Sequence, residues 1–278
     1  MNRRVLLSGL GASVLVGCAP SAPPAADGFV SLAPDLTETV AALGALARLV
    51  GRSDWCHFPP EVAALPALGS GLTPDLERIA ALRPAAILVD GSRGVHLETL
   101  AGLAKVEVFP WLSVDEVVAS VRRLGALVDR AAAAEALAVR YAALATPPPA
   151  AGPAVLMVLA AEAADVREVW YVKRNSLHGA ALQAAGARNA IDRDVDGAPV
   201  LSLEGLIALD PPAILVLTER VVDDALRASV AAAWARFDVL AAVRGGRVRV
   251  VGGPQALSSG PSIFGFLATL QTELAPLR

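Results

Sequence analysis

Short blocks of helix-spaced apolar residues alternate along the chain with unbroken apolar runs, and the switch between them falls at proline. Residues 76–89, LERIAALRPAAILV, show the pattern. Leucine and alanine recur at helical spacing, Pro84 stops the helix, and AAILVD then reads as a strand covered on both faces. Residues 203–216, LEGLIALDPPAILV, repeat it 127 positions later with nine of fourteen residues identical. Asp75 and Ser202 precede Leu-Glu at equivalent N-cap positions, and Pro84 and Pro211 close the two helices. Each copy is a helix-to-strand half-unit of an α/β layer.

Other stretches extend the same order. FVSLAP (29–34) reads as a strand leading into the helix DLTETVAALGAL, and KVEVF (105–109) as a further strand. In the second half AVLMVLA (154–160) and RVRVV (247–251) read as strands, and NSLHGAALQAAG (175–186) as a helix ending on glycine. Between the halves, residues 113–145 carry no proline and one glycine. Ser113 and Glu116 form a capping-box pattern, and Asp129 is placed to cap a second helix. This segment predicts one long helix or two in series, closed by TPPPAAGP. The expected fold class is α/β, with two Rossmann-like lobes with parallel sheets joined by a long rigid helix. A cleft between the lobes is the expected ligand site.

The first residues change the picture of where the chain works. MNRRVLLSGLGASVLVGCAPSAPPAAD has a basic start, an apolar run from Val5 to Gly17 and small residues before Cys18. That reads as an export signal, too short for a permanent membrane span. LVGC (15–18) resembles a bacterial lipobox, which implies cleavage before Cys18 and a diacylglycerol on its thiol. An ordinary signal peptide containing a cysteine is the plainer alternative. The expected layout is signal peptide 1–17, lipidated tether 18–28, N-terminal lobe 29–112, connecting helices 113–146 and C-terminal lobe 147–278.

Composition then excludes classes. The 278 residues are 55% hydrophobic, 18% charged and 4% aromatic, which suits a chain with a sizeable core. Without Arg3 and Arg4 the 24 basic residues become 22 against 27 acidic ones, a balance of −5 with no basic run, so nucleic acid is not an expected partner. Lipidation of Cys18 leaves Cys56 as the remaining thiol, and His57, His96 and His178 are scattered, so neither a disulfide nor a zinc site is expected. There is no Walker loop, no Gly-x-Ser-x-Gly and no metal-ligand cluster. No enzyme activity and no resident cofactor are expected.

With these residues in hand, VSLAPDLTETVAALGALARLVGRSDWCHFPPEV resembles the opening of bacterial ABC-transporter solute-binding proteins that carry cobalamin, haem and ferric siderophores. Ser31-Leu32-Ala33-Pro34, Thr37-Glu38, Leu43-Gly44, Val50-Gly51 and Cys56-His57-Phe58-Pro59-Pro60 carry the likeness, and LERIAALRPAAILV matches the most recognisable segment of these proteins. The resemblance implies two lobes bridged by a rigid helix with little closure. It implies a monomer at the periplasmic side of a bacterial membrane that hands its ligand to an ABC permease dimer with ATPase subunits. It also implies a role for the repeated glutamates: Glu77 and Glu204 stand where such proteins dock on permease arginines. The plainer reading is that each offsets its helix dipole.

For the cleft, residues just beyond strand C-termini are the ones α/β folds turn toward ligands. That rule selects Trp55, Asp90 to Arg93, Trp111, Trp170 to Arg174 and the loop 252–262, while Trp234 reads as core. Broad aromatic faces suit a planar macrocycle. The resemblance places Trp55 and Trp170 at ring-stacking positions, which points to cobalamin or another corrinoid. Gly71, Ala198 and Asp90 stand where cobalamin binders can carry tryptophan, so haem, a ferric siderophore and an oxyanion stay open. Haem iron takes an axial His or Tyr, and His57 and Tyr171 are the nearest candidates. Arg52, Arg93, Lys173 and Arg174 are candidates for meeting carboxylates or phosphate, with solvated loop charges as the plainer alternative.

Overall fold

The computed structural model describes residues 28–91, 97–145, 152–159, 168–197 and 199–277. Cys18 and Arg93, with the signal and tether expected at the N-terminus, lie outside the described residues. The first lobe is built from β1 (Phe29–Ser31), α1 (Pro34–Ala42), β2 (Leu49–Arg52), α2 (Leu76–Leu82), β3 (Ala86–Asp90), α3 (Leu97–Ala101) and β4 (Lys105–Phe109). Its four strands run parallel in the order β2-β1-β3-β4.

The second lobe contains β5 (Ala154–Leu159), β6 (Glu168–Tyr171), α6 (Leu177–Ala184), β7 (Arg188–Asn189), β8 (Val200–Ser202), α7 (Leu203–Leu209), β9 (Ile214–Thr218), α8 (Asp224–Ala235), α9 (Ala241–Arg244), β10 (Val248–Gly252) and α10 (Ile263–Leu274). Its sheet runs β10-β9-β5-β6-β8, with β7 beside β5. Strands β10, β9, β5 and β7 are parallel. Strands β6 and β8 are antiparallel, so this sheet is mixed rather than parallel throughout.

The repeat is α2-β3 in one lobe and α7-β9 in the other. Asp75 accepts from the Arg78 amide and Ser202 Oγ from the Gly205 amide, so both N-caps form as expected. Both helices then end on a left-handed residue, Arg83 at φ 45° and Asp210 at φ 39°, directly before the proline. Proline disfavours the right-handed helical conformation in its predecessor. The equivalent strands β3 and β9 are buried along their whole length.

Between the lobes stands a pair of helices, the second of the two expected arrangements: α4 (Val114–Leu127) and α5 (Ala131–Ala142). The Ser113–Glu116 capping box forms as predicted. Asp129 does not cap α5. It takes φ 58°, which breaks the helix, and its carboxylate pairs with Arg48 of the first lobe at 2.9 Å. The two helices pack against each other, with Arg122 bonded to Glu135 at 2.7 and 2.8 Å and Gly125 against Ala134. One apolar cluster runs from Leu36 and Phe109 of the first lobe, through Leu124 and Tyr141 of the connector, to Met157 and Leu270 of the second. Each lobe adds a smaller cluster of its own, and Trp234 is buried in that of the second. No described helix is long and apolar enough to cross a membrane.

Candidate functional site

The turn after β2 shows how the first wall of the cleft is made. Cys56 is buried, with Sγ 3.0 Å from the Thr37 hydroxyl and 3.2 Å from that of Ser53. Burial pushes its thiol up, so it serves as a neutral plug and not as a nucleophile. Pinning Cys56 inward turns its neighbours out: Trp55 is 38% and Phe58 37% exposed, and His57 is exposed as well. The two side chains of the Cys-His pair diverge.

These three residues line a solvent-open cavity of about 370 Å³ between the lobes. Pro34, Asp35 and Glu38, from the start of α1, complete the first-lobe side. Glu219, next after β9, and Gln255, Leu257, Ser258 and Ser259, from the loop after β10, form the opposite wall. The rule of strand C-termini thus finds both walls. A second recess of about 260 Å³ shares Leu257 and Ser259 with the first and continues along the second lobe past Leu159, Tyr171, Lys173, Ser176 and His178.

The loop after β10 is held from three sides. Buried Glu38 of the first lobe accepts a bond from Ser258 Oγ at 2.6 Å and another from the Ser262 amide. Trp111 Nε1 donates to the Ser259 carbonyl at 3.0 Å, and the connector's Tyr141 hydroxyl lies 3.5 Å from the same oxygen. From below, His178 Nε2 donates to the Ala256 carbonyl at 2.9 Å. Burial pushes the His178 imidazole down, and the bond to Ala256 opposes this only in part. Burial, with Glu38 and Asp35 nearby, pushes the Tyr141 hydroxyl up. At the loop's start Gly252 has φ 157°, and a Cβ there would meet the Thr218 carbonyl oxygen at 1.9 Å.

Of the residues expected in the cleft, Trp55 and His57 line the first recess and Tyr171 the second. Trp111 does not face ligand space. It is 3% exposed and serves as core and as anchor for Ser259. Trp170 lines neither recess. It lies within β6 on the exposed face, opposite to that of Tyr171, so it is not beyond a strand exit at all. Arg174 is committed to Asp194 at 2.9 Å and Asp192 at 3.7 Å, away from both recesses. Asp90 is buried at the end of β3. Glu77 and Glu204 are exposed on α2 and α7 and line neither recess.

Sequence reasoning missed Asp35, Glu38, Glu219 and the recess-facing position of Phe58. The first two follow β1 and the third follows β9, so the strand-exit rule applied to every strand would have found them. Phe58 had no signal beyond adjacency to Trp55. Among the described residues, no group of three or more His, Cys, Asp or Glu side chains forms a metal-holding cluster.

Comparison with known proteins places this geometry. A vitamin B12-binding protein of Pectobacterium carotovorum subsp. carotovorum is 37% identical over 98 residues, 34% of this chain and 36% of the relative. The chain thus spans about a third of the length of the curated relatives it matches. A periplasmic heme binding protein from Pseudomonas aeruginosa superposes with a TM-score of 0.69 at 27% identity, over 90% of this chain and 93% of that one. The periplasmic vitamin B12 binding protein of Vibrio cholerae shares the fold at a TM-score of 0.69 and 18% identity, over 89% and 96% of the two chains. Residues 29–254 match the family described as periplasmic binding protein, and with most of its length inside that match the chain belongs to this family of solute-binding, non-enzymatic proteins.

Proposed function

We propose that this protein is the capture component of an ABC importer and that its ligand is a planar metal macrocycle, a corrinoid in the first place. The observation that carries the reading is the pair of solvent-facing aromatics, Trp55 and Phe58, at the mouth of the inter-lobe recess. Large aromatic faces left uncovered in a cleft offer stacking surface to a flat ring. The recess is open on one side, so its volume does not cap the size of the ligand. The stretch of 37% identity to a vitamin B12-binding protein supports the corrinoid choice.

Haem is the second reading, and one observation favours it. The His57 imidazole lines the recess with no hydrogen-bond partner among the described residues, which leaves a ring nitrogen for an axial bond to iron. The heme-binding protein from Pseudomonas aeruginosa, similar over nine-tenths of the chain, supports it too.

Spectral titration of the purified protein with cyanocobalamin and with haem separates the two. Corrinoid binding without a haem Soret shift is the expected result, and Trp55→Ala should weaken it by about 1–3 kcal/mol. A Soret shift that disappears in His57→Ala would instead establish haem. Unchanged binding of both ligands in Trp55→Ala would remove the stacking argument.

Delivery to the permease is assigned to Glu77 and Glu204. Both lie exposed in the first turn of the repeated helices, clear of the cleft and without an ion-pair partner among the described residues. Lipidation at Cys18 would hold the protein to the periplasmic side of the membrane beside its importer.

A further inference from the structure

The second recess holds a cation without a counter-charge. Lys173 is half-buried on its wall, and no carboxylate among the described residues pairs with it. Its neighbour Arg174 is already matched to Asp192 and Asp194. Around Lys173 the recess is apolar, with Leu159, Leu217 and Leu257, and such walls strengthen any charge interaction made there. The Tyr171 hydroxyl on the same wall has no partner among the described residues and supplies an unused donor. The recess also borders the start of α6, whose dipole has the same sign as Lys173. The first recess is the opposite: its charged lining among the described residues is Asp35, Glu38 and Glu219, with no lysine or arginine. The cleft is therefore polarised, anionic at the ring end and cationic at the far end.

We propose that the Lys173 recess receives a singly charged oxyanion carried as a pendant group by the bound ligand. The inference rests on the macrocycle reading of the first recess and adds the chemistry of the ligand's tail. In a corrinoid the oxyanion is the phosphodiester that links the ring to its nucleotide base. In haem it is a propionate carboxylate. Leu257 and Ser259 line both recesses, so ring and tail are contiguous.

The test compares ligands with and without that charge, and the Lys173 variants isolate its share. Cyanocobalamin is set against dicyanocobinamide, which lacks the phosphodiester together with the ribose and base it carries, and haem against its dimethyl ester, in which both carboxylates are masked. All four are titrated into the full chain at low salt, with Lys173→Gln and Lys173→Arg beside the parent and thermal unfolding as a control of folding. The parent should prefer the oxyanion-bearing member of whichever pair binds by about tenfold, the scale of one charge-assisted hydrogen bond. Lys173→Gln should abolish the preference and leave the uncharged member's affinity unchanged, while Lys173→Arg should retain most of it. Added salt should erode the preference in the parent. A preference in the corrin pair that Lys173→Gln abolishes identifies the phosphodiester, and one in the haem pair that it abolishes identifies the carboxylate. Binding without preference, or a preference that survives in Lys173→Gln, overturns the subsite while the macrocycle reading stands. Failure of all four ligands to bind overturns both.

Discussion

Gly260 and Glu38 sit on different lobes, 222 positions apart in sequence, and their contact makes the cleft's rear wall testable by a double-mutant cycle. A Cβ on Gly260 would meet Glu38 Oε2 at 2.7 Å and Cδ at 2.8 Å. The carboxylate cannot simply swing aside, because Ser258 Oγ and the Ser262 amide hold both of its oxygens. Gly260 has no positive φ, so substitution there carries a steric cost without backbone strain. Gly260→Ala must break those bonds or push the loop outward, at about 1–3 kcal/mol as for overpacking. Glu38→Ala removes two bonds to a charged group, each worth about 1.5–3 kcal/mol, and relieves part of the cost of burying a carboxylate, for a net loss of roughly 2–4 kcal/mol. In the double variant the carboxylate that Gly260→Ala would strike is gone. The second change should then add no more than about 0.5 kcal/mol, giving a coupling of about 1–3 kcal/mol. Urea unfolding followed by tryptophan fluorescence measures each corner, with ligand affinity as the second readout, since Ser258 and Ser259 line the recess. Additive costs in the cycle would refute the contact as the wall's anchor.

Three further outcomes follow from other parts of the molecule. His178 titrates below its ordinary value when folded, so the unfolded chain takes up the proton first; the stability from its neutral form is fully present above about pH 6.5 and declines as pH falls toward the folded value, by at most about 1.4 kcal/mol per pH unit. His178→Gln should flatten the pH 7 to 5 stability profile, and a profile identical to the parent's would show that another group sets it. Glu77→Ala with Glu204→Ala should leave folding and ligand affinity intact and reduce transport with the cognate importer, each removed charge pair being worth about 1.5–7 kcal/mol in a docked interface; normal transport would leave the two glutamates as dipole residues. Cys18→Ala should abolish metabolic lipid labelling and release the protein from the membrane fraction, and labelling that persists would reject the lipobox.

What could be read in the chain beforehand was whatever local rules decide. Strand β4 falls on residues 105–109 as predicted, β3 and β9 fall on their apolar runs, and Asp75, Ser202 and Ser113 cap their helices. All of these depend on spacing within a dozen residues. Strands β6 and β8 did not show, because four- and three-residue strands that alternate or sit at a sheet edge carry little pattern. Alternation along β6 turns Trp170 to the exposed face and its neighbour Tyr171 inward to the second recess. The break itself was legible at Asp129, but its left-handed turn and its pairing with Arg48, 81 positions away, were not. Trp111 shows the same limit: its indole was assigned to ligand, but Ser259, 148 positions on, uses it first. The task of Glu38 is likewise non-local, because the loop it holds bonds to it through Ser258, 220 positions on.

The apolar cluster that runs from Leu36 through Tyr141 to Leu270 has a consequence for modularity. Two related halves invite the picture of exchangeable parts, each able to stand alone. The seam denies it. A chain cut in the connector would divide this cluster and part Trp111 from the Ser259 carbonyl it holds. The halves should therefore melt in one transition, and a lobe transplanted from a relative should fold only if the seam residues travel with it.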